Sequence, residues 1–383
     1  MTLNEREDQR LSTAVDTAID CLHRLPSFLR RVGDVHYAVH DSYAERAVSL
    51  ARYLRASVSA LRDGLNSPAY ALLRCAMEHH LLDHLFMRAD RYVVQGSISK
   101  DAFDKWYQLW QDKAPGTENI DSMNRNEGGH ARIVFRGPHV ADSDGTVDYA
   151  LSIYYAYFDQ FDPLLGPPQE QKYLMDSWAS LGEYEDEARG QQRVYGEAFK
   201  WKSICDNLVL NRVYTEQELI RLNVHYRFLS SYVHLTPAAD KIVQRQLSYV
   251  PALEAERPHA ALELGHLYAA AFAGRELEIF VQMADDRPPV KLDGRAELEA
   301  AAVEARTASR HLWFPGDPAH PGDRWRQACR AAWRREGEPT AEEVGVDEPY
   351  YRDPFSRLKE LHLGQQRGSD QYVPAFFLPE QGE

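Results

Sequence analysis

The sequence predicts an all-α protein, a multi-helix bundle, and three observations support this prediction. Apolar residues recur at steps of three and four along most of the 383 residues, which is the spacing of one helical face. Breaks rich in Pro, Gly, Asn and Ser divide these periodic stretches into helix-sized pieces. Only residues 113–148 lose the periodicity, so we expect an irregular insertion there, with a hint of a short strand at Ile133–Phe135.

The second and third helices are predicted from an apolar stripe and the break that follows it. Within residues 36–65, one helical face that needs a covering partner carries Val48, Ala51, Leu54, Val58, Leu61 and Leu65. Ser67 and Pro68 end that helix and begin the next, because a serine side chain accepts hydrogen bonds from the first N–H groups and proline suits the first helical position. We expect the third helix over residues 68–93.

The later helices follow from aromatic spacing and from one capping motif. Aromatic residues from Phe103 to Trp110 make one face of a short helix, and such a face is far more often core than a cofactor site. Thr215 and Glu218 have the spacing of a capping box, which predicts a helix from there to about Leu235. Two further helices are expected over residues 183–210 and 259–284.

The clearest break in the chain, Arg287-Pro288-Pro289, divides the predicted domains. Residues 1–286 are expected to form the helical bundle, and residues 290–383 a C-terminal helical appendage. Within that appendage, residues 306–335 hold seven arginines against two aspartates, and residues 336–383 hold eleven acids against four bases. A basic aromatic segment before an acidic tail fits an intramolecular or oligomer contact as well as a nucleic-acid surface.

Composition narrows the class of protein. The net charge of −14 argues against a protein whose whole surface grips nucleic acid, although a local basic patch still can. There is no leader-like start and no long apolar run, so we expect a cytoplasmic protein without a membrane partner. Four scattered cysteines predict reduced thiols. With no Gly-rich phosphate loop or dinucleotide fingerprint, no cofactor is expected.

Arg74 and Glu78 form the first candidate constellation. They are four residues apart in an apolar helix and therefore share a face. An arginine in such surroundings is seldom buried unless it is paired. The simplest interpretation is that Arg74 and Glu78 form an ion pair at the edge of the core. The alternative is that they belong to a functional site.

The second constellation lies at the end of the capped helix. Tyr226, Ser230 and His234 recur every four residues along one side, with Arg227 beside them. His234 falls in the last turn, where the helix dipole favours an imidazolium, so a simple capping role is the alternative to a functional one. We expect Arg74, Glu78 and His234 to converge, since polar residues on otherwise apolar faces are best satisfied by one another.

These two segments, ALLRCAMEHHL and YRFLSSYVHLTP, resemble a broad group of bacterial helical proteins of unknown function that is similar to the HEPN superfamily. The resemblance covers about residues 40–95 and 195–285. It implies a helical bundle of a bacterial defence or toxin–antitoxin system, often a metal-independent endoribonuclease acting as a homodimer on RNA. In such chemistry His234 moves a proton, Arg74 or Arg227 stabilises the phosphate, and Glu78 orients one of them.

Other functions remain open. A non-catalytic sensor, antitoxin or scaffold subunit with a protein partner fits the same motifs. A metal-dependent enzyme is the third possibility, because His80 and His84 are i,i+4 neighbours and His79 and Asp83 form a second such pair. This cluster, however, lacks the HExxH and ExxH patterns. Ser230 as a hydrolase nucleophile is disfavoured, because a mid-helix serine is not presented on a strained turn.

Overall fold

The computed structural model confirms the all-α prediction. The described residues are 77% helical. They comprise 3–30, 38–89, 91–97, 100–113, 120–136, 200–234, 251–286, 291–310, 312 and 314–315. None of the helices described there is long and apolar enough to cross a membrane.

Eight helices lie in the described part of the chain, and the secondary structure also includes short strands. The helices are α1 (Leu3–Phe28), α2 (Ala38–Arg62), α3 (Asn66–Arg88), α4 (Lys100–Gln111), α5 (Trp201–Leu210), α6 (Glu216–Val233), α7 (Pro251–Asp286) and α8 (Arg295–Ala308). The strands are β1 (Leu29–Arg30), β2 (Arg91–Ser97), β3 (Ile120–Arg125), β4 (His130–Arg136) and β5 (Lys291–Leu292). The chain divides into two compact units, one of Met1–His80 with Ile220–Glu383 and one of Leu81–Leu219.

In the first unit, α1 packs against α2, α7 and α8, and α7 packs against α2 and α8. The apolar stripe predicted for α2 supplies much of this core, since Ala51, Leu54, Val58 and Leu61 are buried. Leu65 lies beyond the end of α2 and is exposed. The predicted stripe therefore holds for these four residues, whereas Val48, also inside α2, is only partly buried.

Glycine sets the closest approach within this bundle. A Cβ built on Gly265 of α7 would lie only 2.4 Å from Cδ1 of Leu61 on α2. No side chain larger than hydrogen fits at that separation without a shift of the helices or of Leu61. Gly265 therefore permits the tight α2–α7 crossing.

The first part of the predicted C-terminal appendage belongs to this bundle. Helix α8 packs against α1 and α7. Leu298 of α8 is fully buried, and Phe314 just after the helix is also fully buried. These residues therefore share the core of the first unit. The basic and acidic stretches beyond residue 315 lie outside the described residues, so their assignment stays a prediction.

The second unit contains an antiparallel sheet with the strand order β2-β4-β3. Strand β2 pairs with β4 from Arg91 opposite Arg136 to Ser97 opposite His130. The expectation of a helix through Val93 is wrong here, because α3 ends at Arg88. Aromatic and β-branched residues in β2 suit a pleated surface, and pairing with a distant strand decides the conformation.

Strands β3 and β4 form a hairpin inside the segment expected to be irregular. The connection is tight: Gly129 has a φ of 81° and its N–H donates to the Asn126 carbonyl. Ala131 and Ile133 are buried on alternate positions of β4. The prediction of an irregular insertion is therefore wrong for residues 120–136, which form a β-hairpin. The short strand predicted at Ile133–Phe135 is confirmed as part of β4. The rest of the insertion after residue 136 lies outside the described residues.

Candidate functional site

Arg74 of α3 joins two predicted site residues. Its Nε donates to Oγ of Ser230 on α6 at 2.7 Å. Its two terminal nitrogens face the Glu78 carboxylate, with Nη2 2.7 Å from Oε1 and Nη1 2.6 Å from Oε2. This two-pronged geometry matches the planar fork of a guanidinium and is stronger than a single contact.

Tyr226 completes the surroundings of this arginine. The Arg74 Cζ lies 4.0 Å from the centre of the Tyr226 ring. Because Tyr226 and Ser230 are one helical turn apart on α6, both present themselves to the same guanidinium. Arg74 itself is only 7% exposed. We call Arg74, Glu78, Tyr226 and Ser230 the Arg74 cluster.

The Arg74 cluster borders solvent on its Glu78 side. The Glu78 side chain is 35% exposed, and the neighbouring Cys75 is exposed as a residue. Partial burial, with the Glu78 carboxylate adding to it, raises the pKa of the Cys75 thiol, while Arg74 opposes this rise. The cluster therefore offers solvent a carboxylate held in a fixed orientation.

Arg227 and His234, the other two predicted site residues, are exposed to solvent. Arg227 is exposed on α6, and His234 is exposed in the turn that directly follows Val233. No hydrogen bond or ion pair found between described residues joins either side chain to Arg74. Arg74 therefore meets Glu78, as predicted, and Ser230 is the third member of the group. That His234 also converges on them stays a prediction.

A second polar group, which the sequence analysis did not assign, is buried in the core of the first unit. His80 Nδ1 lies 2.9 Å from Glu276 Oε2, and both side chains are fully buried. Burial lowers the pKa of His80 to about 3, with the charges of Arg275 and Arg306 acting in the same direction. The available signal was the pair Arg275-Glu276 within the apolar stretch of α7, where charges need partners.

Aromatic rings surround this buried pair. The His80 ring stacks on Phe272, Phe272 meets Phe314 edge to face, and the Arg275 guanidinium lies 4.9 Å from the centre of the Phe314 ring. On the other side of Phe314, the ring of His225 is 5.4 Å away. His80 is therefore committed to a packed interior in this structure.

The other histidines of the predicted metal cluster contact aromatic rings. His79 faces the edge of Tyr53 in the first unit, and His84 faces the edge of Tyr214 in the second. Among the residues that the structure describes, no group of three or more His, Cys, Asp or Glu side chains is placed to hold a metal ion.

Comparison with known proteins adds no functional assignment: no family model, no curated protein and no solved structure matches this chain.

Proposed function

We propose that this chain is a HEPN-like, metal-independent endoribonuclease of a bacterial defence or toxin–antitoxin system, with Arg227 and His234 as its catalytic residues. The observation that carries the proposal is the Arg74 cluster, which holds Ser230 in the last part of α6, between exposed Arg227 on the helix and exposed His234 in the turn that follows it. A buried arginine with a two-pronged carboxylate partner gives that stretch of helix a rigid support.

The chemistry requires two groups near one phosphodiester. Attack by a 2′-hydroxyl needs a side chain that moves a proton and a cation that stabilises the charge on phosphorus. His234 and Arg227 supply these groups, and both are exposed to a polymeric substrate. Arg227 lies on α6, and His234 lies seven positions later in the turn directly after its last residue, Val233.

Arg74 has a different role from the one that the motif alone suggests. Its Nε and both terminal nitrogens are engaged by Ser230 and Glu78. Binding a phosphate would require breaking one of these charge-assisted contacts. Arg74 is therefore a positioning residue, and Arg227 is the cation that meets the substrate.

The test measures RNA cleavage by the full chain in the presence of EDTA, with detection of 2′,3′-cyclic phosphate ends. His234→Ala should lose about 10²–10⁴-fold in rate, the usual contribution of proton transfer. His23→Ala, an exposed histidine on α1, and Arg52→Ala, an exposed arginine on α2, are matched controls that keep full activity. The proposal would be overturned if wild type and His234→Ala cleaved RNA equally. It would also be overturned if wild type cleaved no RNA, either alone or together with a protein encoded by a neighbouring gene.

A second function, protein binding without catalysis, is favoured by one observation. Ile220, Val224 and Val233 on α6 expose 67%, 45% and 47% of their surface. Of these, Ile220 and Val224 are one helical turn apart and share a face, and apolar residues exposed together on one face mark surfaces for protein contacts. In that case Ile220→Ser and Val224→Ser abolish partner binding, whereas Arg52→Ala, an exposed position on α2, has little effect on it.

A further inference from the structure

The outer edge of β2 is covered by helix α5 through asparagine side chains. Among the residues that the structure describes, β2 pairs with β4 on one side, in the order β2-β4-β3. Backbone groups of alternate residues in a strand point to opposite sides, so every second residue of β2 turns its N–H and C=O away from β4. Arg91 and Val93 are two such residues: Val93 bonds to Asn207 on α5, and Arg91 bonds to Asn211 directly after the last residue of α5.

Each asparagine forms a closed pair of hydrogen bonds with one residue of β2. The Val93 N–H donates to Asn207 Oδ1 at 2.7 Å, and Asn207 Nδ2 donates to the Val93 carbonyl at 2.7 Å. Asn211 repeats this arrangement on Arg91, at 3.2 Å and 2.8 Å. A carboxamide thus takes the place of the N–H and C=O that a neighbouring strand residue would offer.

The spacing of helix and strand explains why two asparagines fit. Four residues of α-helix rise about 6 Å, and two residues of β-strand rise about 6.6 Å. Asn207 and Asn211 therefore follow Val93 and Arg91 along the edge. Asn207 is fully buried and also donates to the Ser203 carbonyl at 2.8 Å, which fixes the orientation of its carboxamide.

We propose that α5, held on the edge of β2 by Asn207 and Asn211, acts as a substitute strand that prevents β2 from pairing with the β2 of a second copy of this chain. An uncovered edge strand offers a row of backbone donors and acceptors to any matching strand. The same edge of a second copy is such a match, because antiparallel pairing about a two-fold axis places the same strand on both sides, with residue i opposite residue j and residue j opposite residue i. This inference is independent of the proposed ribonuclease activity.

The test removes both carboxamides in the full chain. Asn207→Ala with Asn211→Ala should double the mass measured for the wild type by light scattering as concentration rises. Amide exchange at Arg91 and Val93 in the variant should be about tenfold faster than in wild type when dilute, and should slow on association. A mass equal to that of the wild type at all concentrations would overturn the proposal, whether or not exchange changes.

Two further variants guard against a trivial result. Asn211→Ala alone keeps the buried Asn207 contacts, so it tests the same association if the double variant fails to fold, with dimers expected only at higher concentration. Absence of any association in this variant would then overturn the proposal. Asn124→Ala, at an exposed position of β3, removes an asparagine from the other edge strand and should leave the mass unchanged.

Discussion

The Nε of Arg74 and the Oγ of Ser230 lie 2.7 Å apart, although 156 residues separate them in the chain. This contact connects α3 to α6, and the same guanidinium holds the Glu78 carboxylate. A single buried cation thus links a helix–helix contact to a partly exposed acid.

Arg74→Ala should lower the free energy of unfolding by about 2–3 kcal/mol, measured by urea denaturation. Removing one partner of a buried pair usually costs about 3–5 kcal/mol, and the value is reduced here because Glu78 keeps 35% of its side chain exposed. Arg74→Lys should lower the free energy of unfolding by a smaller amount, since the lysine ammonium keeps the charge but cannot form the two-pronged contact with Glu78. Arg52→Ala is the exposed control. A loss no larger than that of the control would show that the cluster adds no stability.

Ser230→Ala should cost less than Arg74→Ala, about 1.5 kcal/mol, because it removes one hydrogen bond to a charged group. The double variant should cost less than the sum of the two single variants, since both remove the same contact. Strict additivity in chemical denaturation would mean that the two side chains do not interact in solution.

His80 should make the fold sensitive to acid. Its folded-state pKa of about 3 lies below the ordinary value of 6.5, so the unfolded chain takes up the proton first as pH falls. The resulting stability is complete above pH 6.5 and declines by about 1.4 kcal/mol per pH unit between pH 6.5 and about 3. His80→Gln should flatten this part of the profile of unfolding free energy against pH. An unchanged slope would contradict the assignment.

Gly265→Ala should destabilise the first unit by about 1–3 kcal/mol, because the new Cβ would overlap Leu61. In a Leu61→Ala background the obstructing Cδ atoms are absent. The same glycine substitution should then cost little or even stabilise α7, since alanine favours helix over glycine. Equal costs in both backgrounds, from thermal or urea unfolding, would place the strain elsewhere.

Thr215→Ala should lower stability by about 1 kcal/mol through loss of the cap on α6. The Glu218 N–H donates to Thr215 Oγ1 at 3.2 Å, and the Thr215 N–H donates to Glu218 Oε2 at 2.8 Å. Thr215→Ser keeps the hydroxyl and should stay close to wild type. Equal melting temperatures for Thr215→Ala and Thr215→Ser would show that the side-chain cap does not stabilise α6.

The sequence by itself determined the features whose partners lie within one helical turn. The capping box of Thr215 and Glu218 and the ion pair of Arg74 and Glu78 both follow from fixed helical geometry. Helical periodicity likewise predicted where most helices lie, because an amphipathic face must be buried whatever covers it.

Only the tertiary structure decided the features whose partners are far along the chain. Ser230 rather than His234 bonds to Arg74, and Glu276 of α7 is the partner of His80. Residues Arg91–Ser97 form a strand because β4 pairs with them. Their local sequence preference alone is too weak to predict a strand. Periodicity shows that a face is buried, but the element that covers it depends on how all the helices and strands pack together.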